Sequence, residues 1–261
     1  MKFILKIFKY ELNNIVRSRW IIFYAIFFLA VSYALFSFTG DGSKAILSLM
    51  DITIIIIPLI SVIFGTIYLY NSREFMEMML CQPIDRRSLF FGVYLGTGVP
   101  LAGAFAFGTI LPFIFFGSFN QLGLLLLLIV IGIILTFIFL SISFLISVRN
   151  DDKVKGLGFS ILVWLFLAII YDGIVLFVTY FFQDYPLEKP MLVLSLLNPV
   201  DLGRIMFLLK FDISALMGYT GAVFQKFFGT DFGIGISSLC LVLWIFIPLF
   251  LSLNCFKRKN F

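Results

Sequence analysis

The sequence predicts an all-α polytopic membrane protein with six transmembrane helices. Three observations carry that prediction. Residues 88–148 contain no Asp, Glu, Lys or Arg, and a helix needs about 20 apolar residues to cross a bilayer, so this run alone crosses at least twice. The chain is 62% hydrophobic, with 35 Phe, and only 13% charged, whereas soluble domains carry about 25% charged residues. The basic residues also cluster in alternate segments between the apolar runs.

The spans fall at 20–38, 52–70, 89–116, 122–148, 157–182 and 233–256. The third and fourth are separated by the turn sequence Gly117-Ser118-Phe119-Asn120-Gln121-Leu122-Gly123. The run starting at Trp20 is longer than a signal-peptide core, and no small-residue cleavage site follows it, so it is expected to remain as the first span. An even number of spans puts both termini on one side. Of the 19 Lys and Arg, 14 lie in the segments on that side: 2–19, 71–88, 149–156 and 257–261. The positive-inside rule makes that side, and both termini, cytoplasmic. The net charge of +5 reflects this bias and an attraction to anionic membrane lipid; it gives no argument for nucleic acid.

Several chemistries are excluded. Histidine is absent, which removes His-ligated haem, HExxH zinc sites and Ser-His-Asp catalysis. Cys81, Cys240 and Cys255 have no CxxC spacing and read as reduced thiols. No GxxxxGK[ST] sequence occurs, so the chain has no P-loop of its own for ATP hydrolysis. No catalytic and no metal-ligating set is expected. Met191, Met206 and Met217 suit soft-metal contact in principle, but without Cys or His support they read as core-filling residues.

Three segments outside the spans carry the functional signal. In residues 2–19, Phe3, Ile4, Ile7, Phe8, Leu12, Ile15 and Val16 recur at helical spacing opposite Lys2, Lys6, Lys9 and Arg17. This predicts a basic amphipathic helix at the cytoplasmic interface, either a topology anchor or an elbow bracing the first span. In residues 71–88, Arg73, Glu74, Glu77, Asp85 and Arg86 surround Met76, Met78, Met79 and Cys81, and Gln82-Pro83 breaks the chain before Asp85. Asp85 can cap the third span. Charge around exposed Met suits docking into a partner's groove, and it also fits an ordinary charged loop. Residues 183–232 are expected outside the membrane. There Asn198-Pro199 reads as an N-cap followed by a first-turn proline. Leu202, Ile205, Met206 and Leu209 then recur at helical spacing beside Asp201, Arg204 and Lys210. Asp212 can cap a second helix, broken at Gly218-Tyr219-Thr220-Gly221. Two such helices would lie on the outer surface, as a contact for an outside protein or as a lid.

Within the spans, Asp172 is the one acid well inside an apolar run. An ionisable group in lipid is by default a functional candidate, or it pairs internally. Gly92, Gly96, Gly98, Ala102, Ala104 and Gly108 give the third span a small-residue face suited to close helix packing. Pro100 and Pro112 are expected to bend that span.

Together the amphipathic start, the six spans, Asn71-Ser72-Arg73-Glu74-Phe75 with Gln82-Pro83-Ile84-Asp85-Arg86, and the long loop before the last span resemble the ABC-2-type permeases, with a type V ABC transporter fold. Leu197-Asn198-Pro199-Val200-Asp201-Leu202 and residues 212–222 look like the outer loop of the NosY-like branch, the permeases of nitrous-oxide-reductase maturation transporters. The resemblance implies an elbow helix at 1–19 and a permease domain at 20–261, with a cytoplasmic coupling loop at 71–88 and a periplasmic helical loop at 183–232. It implies a homodimer in the bacterial cytoplasmic membrane, with separate NosF-type ATPase subunits that bind ATP and Mg, and no cofactor in this chain. It also implies a NosD-type β-helical periplasmic partner. On this resemblance Arg73, Glu74, Glu77, Gln82, Pro83, Asp85 and Arg86 couple to the ATPase. Asn198, Pro199, Asp201, Arg204, Asp212, Met217, Gly218, Tyr219 and Gly221 meet the outer partner. An ABC-2 exporter of a drug, lipid or peptide shares the coupling loop. An intramembrane enzyme or a scaffold is the reading from another class, and the spans hold few acids and nucleophiles for an enzyme.

Overall fold

The computed structural model describes residues 2–116, 119–182, 188–210 and 231–259. They are helical throughout, with no strand among the described residues. In chain order the helices are α1 (Lys2–Val16), α2 (Arg19–Thr39), α3 (Gly42–Asn71), α4 (Arg73–Leu80), α5 (Arg86–Phe116) and α6 (Leu122–Arg149). They continue with α7 (Lys153–Leu165), a π-helical turn (Phe166–Ile170), α8 (Tyr171–Phe181), α9 (Glu188–Leu197), α10 (Pro199–Lys210) and α11 (Asp231–Arg258). Six spans are long and apolar enough to cross a membrane: α2, α3, α5, α6, the α7–α8 unit and α11.

The boundaries follow local chemistry. Gly40 takes the left-handed conformation at φ 62° and ends α2, a geometry that a residue without Cβ adopts at no steric cost. Asp41 then accepts the Ser43 amide at 2.9 Å and caps α3. The second span therefore starts ten residues earlier than hydropathy alone places it. Lys44 and Asp51 lower the apolar average there, yet Ala45, Ile46, Leu49 and Met50 are all buried. At the other side of the bundle, Asp152 accepts the amides of Val154 and Lys155 and caps α7.

α6 is the most enclosed span and packs against α3, α5, α7, α10 and α11. The core around it is aromatic: Phe28, Phe105, Phe113, Phe139 and Phe144 are almost fully buried, and Phe28 meets Phe105 edge-on at 5.0 Å. Small residues set the closest approaches. A Cβ at Gly92 would fall 2.6 Å from Ile7 Cγ2, one at Gly96 2.5 Å from Glu11 Cβ, and one at Gly108 2.8 Å from Phe28 Cβ. The small-residue face of α5 therefore packs first α1 and then α2. The amphipathic helix lies along the first turns of α5, with Ile7, Glu11 and Ile15 buried.

Bulk at Gly96 should loosen α1. We expect Gly96→Val to destabilise the protein by about 1–3 kcal/mol, since overpacking a tight contact displaces backbone. Gly103→Val is the control, because a Cβ there meets nothing within 4 Å. Thermal unfolding in detergent, followed by size-exclusion chromatography, separates the two.

Candidate functional site

Two polar assemblies stand out, one at an end of the bundle and one at its middle. The first lies at the end that carries Arg73, Arg86, Arg149 and Lys153, called here the basic end. α4 begins two residues after α3 ends, with Glu74 in its first turn, where a negative charge suits the helix N-terminus. Met76 is buried, and Phe75 stacks on Tyr10 at 5.4 Å. This seats α4 against α1 and α5 and turns Glu74, Glu77 and Met78 outward. Cys81, Gln82, Pro83 and Asp85 continue the exposed surface. Asp85 precedes α5, and its carbonyl accepts the Leu89 amide at 3.1 Å.

Arg73 and Arg86 turn the other way. Arg86 Nη1 donates to the carbonyls of Phe256, Lys257 and Lys259 at 3.4, 2.9 and 2.7 Å. It satisfies acceptors that the end of α11 leaves open. Asp151 accepts from Lys259 Nζ at 2.8 Å and from Arg73 Nη2 at 2.5 Å. Lys259 also donates to the Val148 carbonyl at 2.7 Å. One carboxylate thus ties α4, the α6–α7 turn and the end of α11 into a clasp. The Lys259 and Arg73 hydrogen bonds hold the exposed Asp151 carboxyl down at about 2. Deeper in this end, Tyr68 donates to the Glu11 carboxylate. Burial pushes the Glu11 carboxyl above its ordinary value, partly opposed by that hydrogen bond.

The second assembly lies halfway through the bundle. α9 and α10 meet at a bend of 112° and together are apolar enough to enter a membrane. α9 runs back along α8: Thr179 Oγ1 contacts Met191 Sδ at 3.5 Å, and Tyr171 Oη donates to the Leu194 carbonyl at 2.6 Å. The bend is Asn198-Pro199. Asn198 Oδ1 accepts the Val200 amide at 3.1 Å, the N-cap bond its sequence predicts, and its Nδ2 donates to the Leu167 carbonyl at 2.9 Å. Leu167 lies in the π-helical turn at the midpoint of the span Lys153–Phe181. A π turn displaces the usual backbone pairing, and the asparagine amide supplies a donor there. α10 then packs on the middle of α6, where a Cβ at Gly203 would fall 3.1 Å from Ile131 Cγ2. Arg204 Nη1 bonds Asp172 Oδ2 at 2.8 Å and Asp201 Oδ1 at 3.4 Å.

Of the segment 183–232, residues 188–210 form a sharply bent helical pair, called here the re-entrant pair, that packs against α6 and the π-helical turn. Asn198, Pro199, Val200 and Leu202 are buried, so none of them is available to an outside protein in this conformation. The reason is pairing: Asn198, Asp201 and Arg204 each find a partner within the chain. Asp172, expected alone in its span, is the partner of Arg204. Met191 is buried core, as expected. Asp212, Met217, Gly218, Tyr219 and Gly221 lie outside the described residues. The signal that sequence reading missed was the match of one intramembrane acid with one arginine in the next apolar segment.

Six spans, an exposed charged helix between the second and third, and a bent helical pair before the last define a multi-pass membrane protein. Residues 5–261 match the family described as ABC-2 family transporter protein, and the chain belongs to that family. It is 26% identical over 277 residues to the probable ABC transporter permease protein NosY of Pseudomonas aeruginosa, covering 95% of this chain and 96% of that protein. It is 24% identical over 269 residues to the probable NosY of Stutzerimonas stutzeri, with the same coverage. It is a NosY-like ABC transporter permease subunit, and in such transporters the ATPase activity lies in a partner.

Two outcomes test the assemblies. An Asp172→Asn, Arg204→Gln double-mutant cycle should give a coupling of about 0.5–3 kcal/mol, read from unfolding in detergent. Additive effects would show the pair to be independent. The clasp should respond to acid. The Asp151 carboxyl is lowered in the folded chain, so its contribution is present above the ordinary value of 3.8 and is lost as pH falls toward 2. Hydrogen exchange at 149–153 and 256–259 should be flat from about pH 5 to 8 after correction for intrinsic rates, should rise below about 4, and should rise at neutral pH in Asp151→Asn.

Proposed function

We propose that this chain is the permease of a nitrous-oxide-reductase maturation transporter. It sits as a homodimer in the bacterial cytoplasmic membrane, with both termini cytoplasmic. The similarity to two NosY permeases over 95% of the chain is the observation that supports this reading most strongly. Two NosF-type subunits, which bind ATP and Mg, dock at the basic end. A NosD-type β-helical protein sits at the periplasmic end.

The outward face of α4 suits the first contact. Glu74, Glu77, Met78, Gln82, Pro83 and Asp85 are presented together, and the buried Met76 holds the helix in place. Arg73 and Arg86 serve the same site from behind. They link α4 and α5 to the α6–α7 turn and to the end of α11, so a push on α4 reaches three spans. At the other end, the pair α9–α10 is joined to the fifth span through Asn198 and Arg204. Movement of that span therefore reaches the segment that leads to the periplasmic partner. The output is either passage of a small sulfur species or mechanical work on that partner, and it serves assembly of the copper-sulfur centre of the reductase. The sequence has no His and no Cys pair, which argues against a tight copper site in this chain and for a sulfur species or a moved partner.

A tagged chain drawn from native membranes in gentle detergent should bring down an ATP-binding subunit and a β-helical periplasmic protein. An ATPase alone would instead favour an exporter of another substrate. The Glu74→Lys, Glu77→Lys double variant should lower ATPase co-purification by about tenfold, because it reverses two exposed charges at the contact. Its membrane level should be unchanged. Full co-purification of that variant would overturn the assignment of α4.

A further inference from the structure

A groove of about 660 Å³ runs between α2 and α3 at the basic end, within the usual range of about 300–1,000 Å³ for ligand sites. Neither the clasp nor the re-entrant pair uses it. Its polarity is graded. Asn14, Ser18, Asn71 and Ser72 line its mouth, and Phe23, Phe27, Ile60 and Ile63 line its depth. Arg17 and Arg19, both exposed, flank Ser18 in sequence. Trp20 is 74% and Phe23 66% exposed; a tryptophan in this position belongs to the membrane–water boundary.

The dimensions match one leaflet. From Ser18 to Phe27 along α2 is about 13 Å, and from Ser72 to Ile60 along α3 about 18 Å, at 1.5 Å per residue. Half of a hydrocarbon core is about 15 Å. An occupant with a polar head at the mouth and an apolar tail toward Phe27 would therefore reach the bilayer centre and stop. Charge narrows the head further. The mouth offers neutral amides and hydroxyls, with Lys153 Nζ bonded to Asn71 at 2.9 Å and the exposed Arg17 and Arg19 adjoining Ser18 in sequence. The acid Glu11 is buried and bonded to Tyr68, which also lines the groove. Glu74 faces outward from α4.

We propose that this groove holds one anionic phospholipid from the leaflet at the basic end, with an acyl chain between α2 and α3 and its phosphate at Arg17, Ser18 and Arg19. The lipid fills the space beside the α1–α2 junction, so it braces α1 against the spans. The bound lipid is a resident of the fold and independent of what the transporter moves.

The test uses the full-length chain, reconstituted in nanodiscs of equal phosphatidylglycerol and phosphatidylethanolamine and examined by native mass spectrometry. Retained phosphatidylglycerol is expected in excess over phosphatidylethanolamine, by about fivefold for each arginine facing the phosphate. Ile63→Trp should fill the groove and remove the retained lipid. Arg17→Gln with Arg19→Gln should keep a retained lipid and lose the headgroup preference. Phe250→Trp, on an exposed apolar face elsewhere, should behave as the parent chain. A photoreactive acyl chain on phosphatidylglycerol should label peptides containing Phe23 and Ile63 in the parent chain, which needs no variant to fold. Equal retention of both lipids by the parent chain, retention unchanged in a monodisperse Ile63→Trp preparation, or labelling spread evenly over the exposed spans would overturn the proposal. So would disulfide cross-linking of two copies through Phe23→Cys, since a second copy would then occupy the groove.

Discussion

Every backbone polar group that this chain carries into the bilayer needs a partner within the protein, and that constraint shapes the middle of the molecule. Water cannot satisfy a backbone carbonyl in hydrocarbon. The π-helical turn at Phe166–Ile170 leaves the fifth span in need of donors at its midpoint. Asn198 meets that need from a different helix, and in doing so fixes where the re-entrant pair bends. The ion pair of Arg204 with Asp172 and Asp201 holds the second arm of the same pair. Neither feature would be tolerated in lipid without the other elements around it. The re-entrant pair and the π-helical span are best understood as one structural unit.

A second unit lies at the basic end, and it follows different physics. The clasp around Asp151 is solvent-exposed, so each of its ion pairs is individually weak and screened by salt. Its significance is geometric. Arg73, Asp151 and Lys259 come from three separate parts of the chain, and Arg86 adds the last carbonyls of α11. Weak bonds of this kind are readily remade during a conformational cycle. The central unit is held by bonds that hydrocarbon makes costly to break. The basic end is thus the more easily remade of the two units, and the bundle centre the more firmly held.

Much of this architecture was legible in the sequence. The six spans follow from apolar length, and their ends differ from the prediction by only a few residues, except at α3. There a capping aspartate and a buried apolar stripe outweighed two exposed charges. Gly92, Gly96 and Gly108 read correctly as close-packing positions, although two of the three pack the amphipathic helix and not another span. Asn198-Pro199 read correctly as a helix start. The depth of that start was not legible. Pro190, Asp201, Arg204 and Lys210 together resemble a solvated loop, because hydropathy scores each residue alone and cannot credit a charge with a partner elsewhere. The clasp was hidden for the same reason: its members are separated by up to 186 positions, from Arg73 to Lys259.

The two units are connected through the fifth span, and this has a mechanical consequence. α7 starts beside the clasp, capped by Asp152 next to Asp151, and packs along α3 through the buried Thr66–Ser160 hydroxyl contact at 2.8 Å. Trp164 then donates to the Ile55 carbonyl at 3.1 Å, in the turn preceding Pro58. Immediately beyond lies the π-helical turn held by Asn198. A displacement of α4 that pulls on Asp151 is therefore applied to the start of a helix whose first half is bonded to α3 and whose midpoint is bonded to the re-entrant pair. The π turn is the one place along that helix where regular hydrogen bonding is already interrupted, and bending concentrates where the ladder is weakest. The break that makes Asn198 necessary therefore falls between the half of the span bonded to α3 and the half that packs beside the bent pair.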